Sequence, residues 1–322
     1  QYRTGEVVIE GNEVFPDDSL RLMVPLREGD ILRNYWLDAG VEGITRRYED
    51  RGHLYAEVVR QIRRRADEPI AVVTITIDED EPYYIDTIEF SGNTATQDRV
   101  MRREVLINEG ALFNRTRLTL SQRKINQLGY VEAKEDPVIE PVEGENRVRV
   151  RFPVEEKGRN EIQVGGGYSG LDGAFFTGVY STRNFLGRGQ VVSLALQIGG
   201  RSSRYQLSFT EPWFMNRPIT LGFSVFRRDV DYGATLQSTS RGGGIILGKR
   251  LTTFSNVQLA YGYESVTSNS LGFAVGADGE LQQLSSEASN KISSLTPTFL
   301  FDKINNAYRP SSGHRFSASV QV

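Results

Sequence analysis

The stretch TRNFLGRGQVVSLALQIGG, residues 182–200, decides how this chain folds. From Val192 onward every second residue is apolar, and the residues between are Ser193, Ala195 and Gln197. Strict alternation over this length predicts a β-strand with one apolar and one polar face. A turn rich in Gly, Asn and Arg comes before the strand, as expected for a hairpin.

The same alternation recurs through residues 160–322, in segments such as EIQVGGGYS, RYQLSF, ITLGFSV and VQLAYGYE. We expect about nine strands here, with bulky apolar residues on one face and Gly, Ser, Gln and Arg on the other. Aromatic residues gather near the strand ends, including Trp213 and Phe301. This pattern favours a transmembrane β-barrel with lipid outside and water inside. A soluble β-sandwich is the alternative, because its strands alternate in the same way.

Strand number bears on whether this barrel is closed. Bacterial single-chain barrels usually have an even number of strands. The sequence also stops at SASVQV, in the middle of a predicted strand, and an open edge is not tolerated in lipid. We therefore expect residues 159–322 to be the first part of a larger antiparallel barrel.

Composition separates the chain into two parts. Residues 1–159 hold 55 of the 79 charged residues, whereas 21 of the 32 glycines follow residue 159, so the main domain boundary is expected near Gly158. The chain has no Cys, which excludes disulfides and thiolate metal sites. A net charge of −3 gives no support for a nucleic-acid partner, and no run of 18 apolar residues predicts a transmembrane helix.

Residues 1–158 contain an internal repeat. Gly11–Asn12 aligns with Gly92–Asn93 at an offset of 81 residues, and RGHLYAEV (51–58) aligns with LGYVEAKE (128–135) at an offset of 77. Self-similarity at this period predicts two copies of one small domain. Each copy predicts the order β-α-α-β-β, an α+β unit.

The repeat predicts specific elements and an open sheet edge. Helices are expected over Tyr35–Asp50 and Arg115–Gln127, and one of the strands over Val131–Ile139. An uncovered sheet edge can bind an extended peptide as an additional strand. The alternative is that the repeats only act as spacers.

The ordered set of motifs resembles the Omp85 superfamily, in which POTRA repeats precede an outer-membrane barrel. IEGN and FSGN resemble the turn after the first POTRA strand, EEKGRNEIQVGGGYS resembles the junction with the barrel, and SFTEPWF resembles a strand-end motif. STRNFLGRGQ resembles a turn between early barrel strands, whose motif residues here are Asn184, Phe185, Leu186, Gly187 and Gly189.

The resemblance implies a domain arrangement and a location. Residues 1–81 and 82–158 would be the fourth and fifth POTRA domains, and residues 159–322 the first part of a barrel of about 16 strands. The barrel would lie in the bacterial outer membrane, with the POTRA domains in the periplasm.

The resemblance also implies a function, that of an assembly factor which folds and inserts outer-membrane β-barrel proteins. The first barrel strand would pair weakly with the last and open sideways as a lateral gate, which exposes an edge for a client strand. The gate residues would be Ile162, Gln163, Val164, Gly165, Gly166, Gly167 and Tyr168. The three glycines could instead let the strand curve or clear a bulky neighbour. The alternative function is a secretion pore, of the two-partner or autotransporter-assembly type, that exports a partner through its lumen.

The partners implied are unfolded outer-membrane proteins, accessory lipoproteins of the assembly complex and outer-membrane lipids. The lipoprotein contact would involve Arg102, Arg103, Glu104 and Glu109, for which a plain solvated charged face is the alternative. No cofactor, metal or enzymatic activity is expected, because the two histidines are far apart and the glycine-rich segments lie in predicted strands.

Overall fold

The computed structural model of this protein describes residues 2–65, 68–170, 172–233, 236–275, 281–305 and 310–322. The chain forms two compact units. One comprises the residues up to Gly92 with Met101–Ile125 and Ala133–Glu155, and the other comprises Asn93–Val100, Asn126–Glu132 and Glu156–Val322. Among the described residues, no helix has the length and apolar character needed to cross a membrane.

The first repeat has the predicted order of elements. These are β1 (Arg3–Glu10), α1 (Asp17–Arg21), α2 (Asn34–Glu49), β2 (Glu57–Arg64) and β3 (Ile70–Asp78). The strands form a three-stranded sheet in the order β1-β3-β2, in which β1 is parallel and β2 antiparallel to β3. The central strand is thus the last in sequence, and β1 and β2 are the two edges.

The core of the first repeat joins one face of α2 to one face of β3. Leu37, Ile44 and Tyr48 lie seven and four residues apart, so they share a face of the helix, and all three are fully buried. Val73 and Ile75 alternate along β3 and are also fully buried. The 3.6-residue period of α2 and the two-residue period of β3 therefore place both sets of side chains in one core.

The second repeat keeps this plan, with one correction to the prediction. Its elements are β4 (Tyr84–Ser91), α3 (Asp98–Arg102), α4 (Arg115–Gln127), β5 (Val131–Glu132), β6 (Val138–Pro141), β7 (Arg147–Pro153) and β8 (Glu155–Glu156). The single strand predicted over Val131–Ile139 is wrong, because β5 pairs with β8 whereas β6 pairs with β7 in the sheet β4-β7-β6. Pro137 lies in the gap and cannot donate to a ladder, which explains the break.

The Gly-Asn turn is built in the same way in both repeats. Gly11 has φ +85° and Gly92 has φ +94°, a left-handed conformation that favours glycine. A Cβ atom at Gly11 would lie 2.1 Å from the Ile77 carbonyl oxygen, and one at Gly92 would lie 2.0 Å from that of Val154. Because the two close approaches are equivalent, the alignment of the repeats at these glycines is confirmed in three dimensions.

The end of α2 caps the start of α4, which connects the two repeats. The Asp50 carboxylate accepts hydrogen bonds from the Thr116 backbone N–H and hydroxyl, both at 2.7 Å. Arg115 forms an ion pair of 2.8 Å with Glu49. A carboxylate at a helix N-terminus satisfies free N–H groups and interacts favourably with the helix dipole. These contacts fix α4 directly against the preceding repeat.

In the described part of residues 159–322, the strands form one antiparallel sheet of nine, which confirms the predicted strand count and the fold class. They are β9 (Asn160–Ser169), β10 (Gly173–Phe185), β11 (Gln190–Gly199), β12 (Ser202–Glu211), β13 (Ile219–Asp231), β14 (Leu236–Arg250), β15 (Ser255–Val275), β16 (Leu281–Asp302) and β17 (Arg315–Ser319). Each strand pairs with its neighbours in sequence, so β9 and β17 are the two edges. We call the end of the sheet where β9 begins the linker end and the opposite end the far end.

The pairing register of the strands places apolar residues on one face of the sheet and small polar residues on the other. One row of directly opposed residues runs through Val192, Phe209, Phe223, Ile245, Tyr261 and Leu295. The row on the opposite face runs through Ser193, Ser208, Ser224, Gly244, Gly262 and Ser294. We call these the apolar face and the polar face. Bulky apolar side chains on one face and small polar residues on the other are what lipid outside and water inside require.

The two turn glycines Gly11 and Gly29 give a matched test of the repeat fold. Gly11→Ala should destabilise the sheet by roughly 2–4 kcal/mol, because the positive φ and the contact with Ile77 are both unfavourable. Gly29 has φ +90° but a Cβ atom there would have nothing within 4 Å, so Gly29→Ala should cost only about 1 kcal/mol. Hydrogen exchange of the β1 and β3 amides would measure the difference. Equal protection in the two variants would contradict the close approach at Gly11.

Candidate functional site

The residues predicted to form the gate all lie on β9. This strand pairs with β10 over its whole length, from Asn160 opposite Thr182 to Ser169 opposite Gly173. Among the described parts of the chain, its second edge has no strand partner. The backbone N–H and C=O groups along that edge are the ones that pair with the closing strand in a complete barrel.

The three glycines of β9 lie close to β10. A Cβ atom at Gly165 would be 3.1 Å from the Thr177 hydroxyl oxygen, and one at Gly166 would be 3.1 Å from the Phe175 carbonyl oxygen. At Gly167 it would be 3.0 Å from the Phe175 ring. Clearance of a bulky neighbour thus accounts for Gly167, while the role of the three glycines in gate opening stays a prediction.

The end of β10 and the turn that follows it contain the five motif residues predicted from the sequence. Leu186, Gly187 and Gly189 all have positive φ values, of 52°, 71° and 73°. The Asn184 side chain holds this turn from within, because its Oδ1 atom accepts the Gly189 backbone N–H at 2.7 Å. Asn184 is only 1% exposed, so its amide acts as a buried structural group.

A loop of the second repeat docks on this turn. Asn184 donates through Nδ2 to the Thr96 hydroxyl at 2.8 Å, and the Gln97 backbone N–H donates to the Gly187 carbonyl at 2.9 Å. Gly187 is tightly enclosed, since a Cβ atom there would lie 2.0 Å from the Ala95 carbonyl oxygen. We call this contact of Asn93–Gln97 with the turn the junction. All of its residues belong to one compact unit.

Glu156 holds the loop of the junction from its other side. Its carboxylate accepts hydrogen bonds from the Thr96 backbone N–H at 2.5 Å, the Thr94 hydroxyl at 2.9 Å and the Ala95 backbone N–H at 3.1 Å. Burial alone would raise the pKa of Glu156, but the hydrogen bonds from Thr96, Thr94 and Ala95 outweigh it and lower the pKa to about 2. The carboxylate is therefore ionised at neutral pH.

The first repeat contains the same carboxylate clamp at Glu79, 77 residues before Glu156. Glu79 accepts the backbone N–H groups of Glu13 and Val14 at 2.7 and 2.8 Å, and the Tyr48 hydroxyl at 2.7 Å. Burial, together with the hydrogen bond to Glu79, raises the pKa of Tyr48. The offset of 77 residues between Glu79 and Glu156 equals the offset of the aligned segments 51–58 and 128–135, so the repeat alignment contains the signal for this clamp.

One position distinguishes the two clamped loops. At the offset of 81 residues, Phe15 of the first repeat corresponds to Thr96 of the second. Phe15 is buried and packs edge-on against Tyr48, at 5.0 Å between ring centroids. Thr96 instead presents a hydroxyl to Asn184. At this position the second repeat thus has a hydroxyl that bonds to the turn. The first repeat has an aromatic side chain that packs in its own core.

Comparison with known proteins identifies both parts of the chain. A family model described as the Omp85 superfamily domain matches residues 184–322, and a POTRA model described as a surface antigen variable number repeat matches residues 2–80 and 83–157. The chain belongs to the Omp85 superfamily. It is an outer-membrane protein with periplasmic POTRA repeats. The exact domain boundaries at residues 81 and 158 stay predictions.

The curated relatives that match are longer proteins. A putative outer membrane protein assembly factor of Treponema pallidum (strain Nichols) is 28% identical over 69% of this chain and 27% of its own length. Outer membrane protein assembly factor BamA of Neorickettsia risticii (strain Illinois) is 26% identical over 96% of this chain and 41% of its own length. The chain thus spans well under half the length of these relatives.

A solved structure shares the fold over almost the whole chain. The crystal structure of BamA from Haemophilus ducreyi lacking POTRA domains 1–3 covers 99% of this chain, with a TM-score of 0.75 and 21% identity. This chain covers 63% of that structure. The match supports the assignment of two POTRA repeats followed by part of an Omp85 barrel.

The residues predicted to contact a lipoprotein are engaged within the second POTRA repeat. Glu104 is 4% exposed and its carboxylate lies 3.9 Å from the Lys124 ammonium, so its side chain is buried within the repeat, and its part in a lipoprotein contact stays a prediction. Glu109 accepts the Ile88 backbone N–H at 3.0 Å and an Arg102 N–H at 2.9 Å. Arg102 and Glu109 remain exposed and stay candidates, as does half-buried Arg103.

Lowering the pH should weaken the junction, because protonation of Glu156 weakens its hydrogen bonds to the loop. Because the folded-state pKa of Glu156 is depressed to about 2, its stabilising contribution is complete above about pH 4.5 and is lost as the pH falls toward 2. Glu156→Gln should speed hydrogen exchange of residues 93–97 at neutral pH by about tenfold or more and remove the acid dependence. The control is Glu155→Gln, whose carboxylate contacts Lys134 instead. An unchanged exchange rate in Glu156→Gln would show that the clamp does not hold the loop.

Proposed function

We propose that this chain belongs to a protein that folds other β-barrel proteins and inserts them into the outer membrane. The observation that carries the proposal is the strand β9, which begins the barrel sheet, pairs with β10 on one edge and carries three consecutive glycines. Its other edge is the one that pairs with the last strand of a closed barrel, and it becomes free when that pairing opens. The names of the relatives, which are outer membrane protein assembly factors, support the same function. These two observations are the basis for the activity that we propose for the whole protein.

In the proposed mechanism the free edge of β9 acts as a template for a client strand. Unpaired backbone groups are unfavourable in lipid, so an incoming strand gains hydrogen bonds at the point where it enters the membrane. Successive client strands then pair with the first, and the client's own apolar surface is buried in lipid. The driving force comes from the client, which is why no cofactor enters the mechanism.

The first POTRA repeat offers a second edge for extended clients. Its edge strand β2 is eight residues long and has an exposed apolar side chain at Val59. The corresponding edge β6 of the second repeat has four residues and ends in Pro141, which cannot donate a hydrogen bond. A longer edge without proline favours β2 as the strand that pairs with an unfolded client before insertion.

The function is tested by photo-crosslinking at two glutamines of the polar face, Gln163 on β9 and Gln206 on β12. A crosslinking residue at Gln163 in the full-length protein should capture a client barrel during its insertion. Gln206 is the control, because both edges of β12 are paired. Capture of an exported partner at Gln206 but not at Gln163 would contradict templating and favour a secretion pore with a conducting lumen.

The POTRA edge is tested at Val59 and Val138, which are matched in size and in exposure, at 43% and 41%. A crosslinking residue at Val59 should capture unfolded outer-membrane proteins at least about tenfold more efficiently than one at Val138, because β6 is too short to hold an added strand. The yields are compared by immunoblotting for a tagged client. Equal yields would show that client capture does not depend on the β2 edge.

A further inference from the structure

A row of cations crosses the apolar face of the barrel sheet near the far end. The directly opposed residues in this row are Tyr205, Arg227, Arg241, Ser265 and Lys291, on five consecutive strands from β12 to β16. The three cationic side chains are exposed. We call this set of five residues the cation row. Charged residues in this position are unusual, because the same face otherwise meets lipid.

The cation row lies at the boundary of the apolar band. Along β13 the apolar face carries Ile219, Leu221, Phe223 and Val225, and Arg227 is the next residue on that face. Eight residues of strand span about 27 Å, or about 20 Å along the membrane normal at a tilt near 40°. That height is close to the hydrocarbon band of an outer-membrane barrel, about 25 Å. Measured from Ile219, the Arg227 backbone therefore lies about 5 Å short of the outer boundary of this band, and its long cationic side chain can extend from there to the lipid headgroups.

Within the protein, the charges of the cation row are only partly compensated. Arg227 forms an ion pair with Asp229, at 2.8 Å from Nε to Oδ2. Among the described residues, neither Arg241 nor Lys291 forms an ion pair with a carboxylate. Arg227 and Arg241 are directly opposed, about 5 Å apart at the backbone, and like charges in this position are destabilising. The Asp229 carboxylate interacts electrostatically with both Arg227 and Arg241. One carboxylate thus serves two opposed arginines, and an external anion would compensate the remaining positive charge.

We propose that the cation row binds the phosphate groups of anionic lipids in the outer leaflet. The POTRA repeats are periplasmic and the chain enters β9 at the linker end, so the far end faces outward. Arg can hold a phosphate with two parallel hydrogen bonds, and Lys adds a point charge to the same group. Tyr205 and Tyr263 on the same face are 40% and 42% exposed and are suited to the interface at this depth. The ligand is a lipid headgroup, held beside β13 to β16.

The test measures binding of dioleoyl phosphatidic acid to the full-length protein in detergent by native mass spectrometry, with dioleoyl phosphatidylcholine as the comparison lipid. Arg241→Gln with Lys291→Gln should weaken phosphatidic acid binding by about thirtyfold, since each cation near a membrane surface contributes about a factor of five. Arg241→Lys with Lys291→Arg should restore it. Neither double variant should alter thermal stability, because both side chains are exposed.

The control is Arg204→Gln with Arg228→Gln, which removes two positive charges at directly opposed positions at the same height on the polar face. Binding within twofold of the unaltered protein is expected for this variant. An equal loss in the control would show general charge attraction and overturn the proposal. Unchanged binding in the double glutamine variant, or equal affinity for phosphatidylcholine, would also overturn it. None of these readouts depends on client insertion, so the proposed assembly function can fail or succeed independently.

Discussion

The structure depends on one constraint, that backbone hydrogen-bonding groups within lipid must all be paired inside the protein. The antiparallel ladder from β9 to β17 meets it for every interior strand, and the register keeps apolar and small polar residues on opposite faces. The two edge strands of the described sheet, β9 and β17, need further strand partners. In the proposed mechanism the pairing of β9 with the strand that closes the barrel opens, and a client strand then takes the place of that partner.

The junction shows how a POTRA loop is adapted to the barrel. Glu79 and Glu156 clamp equivalent loops in the two repeats, so the clamp belongs to the repeat itself. At the equivalent position of the two loops, Phe15 packs against the core of the first repeat, whereas Thr96 bonds to Asn184. The two loops thus differ at this position in whether the side chain contacts the core or the turn.

Much of the fold could be predicted because its signals are local. The alternation of apolar and polar residues predicted the strands of the nine-stranded sheet, and the repeated Gly-Asn turns predicted the two POTRA copies. The details that could not be predicted depend on contacts distant in sequence. The Asn184–Thr96 hydrogen bond joins residues 88 positions apart, and Glu104 forms its ion pair with Lys124 of α4, 20 positions away. Pro137 is a local signal for the break between β5 and β6, because proline cannot donate to a ladder.

The central claim is that β9 must separate from its barrel partner for clients to enter. The most direct measurement places one cysteine at Gln163 and one in the strand that closes the barrel against β9 in the full-length protein, which has no other cysteine in the region described here. Client insertion into proteoliposomes is then compared with the disulfide formed and reduced. The account predicts that insertion stops when the disulfide forms and returns on reduction. Insertion at an unchanged rate with β9 locked would contradict it.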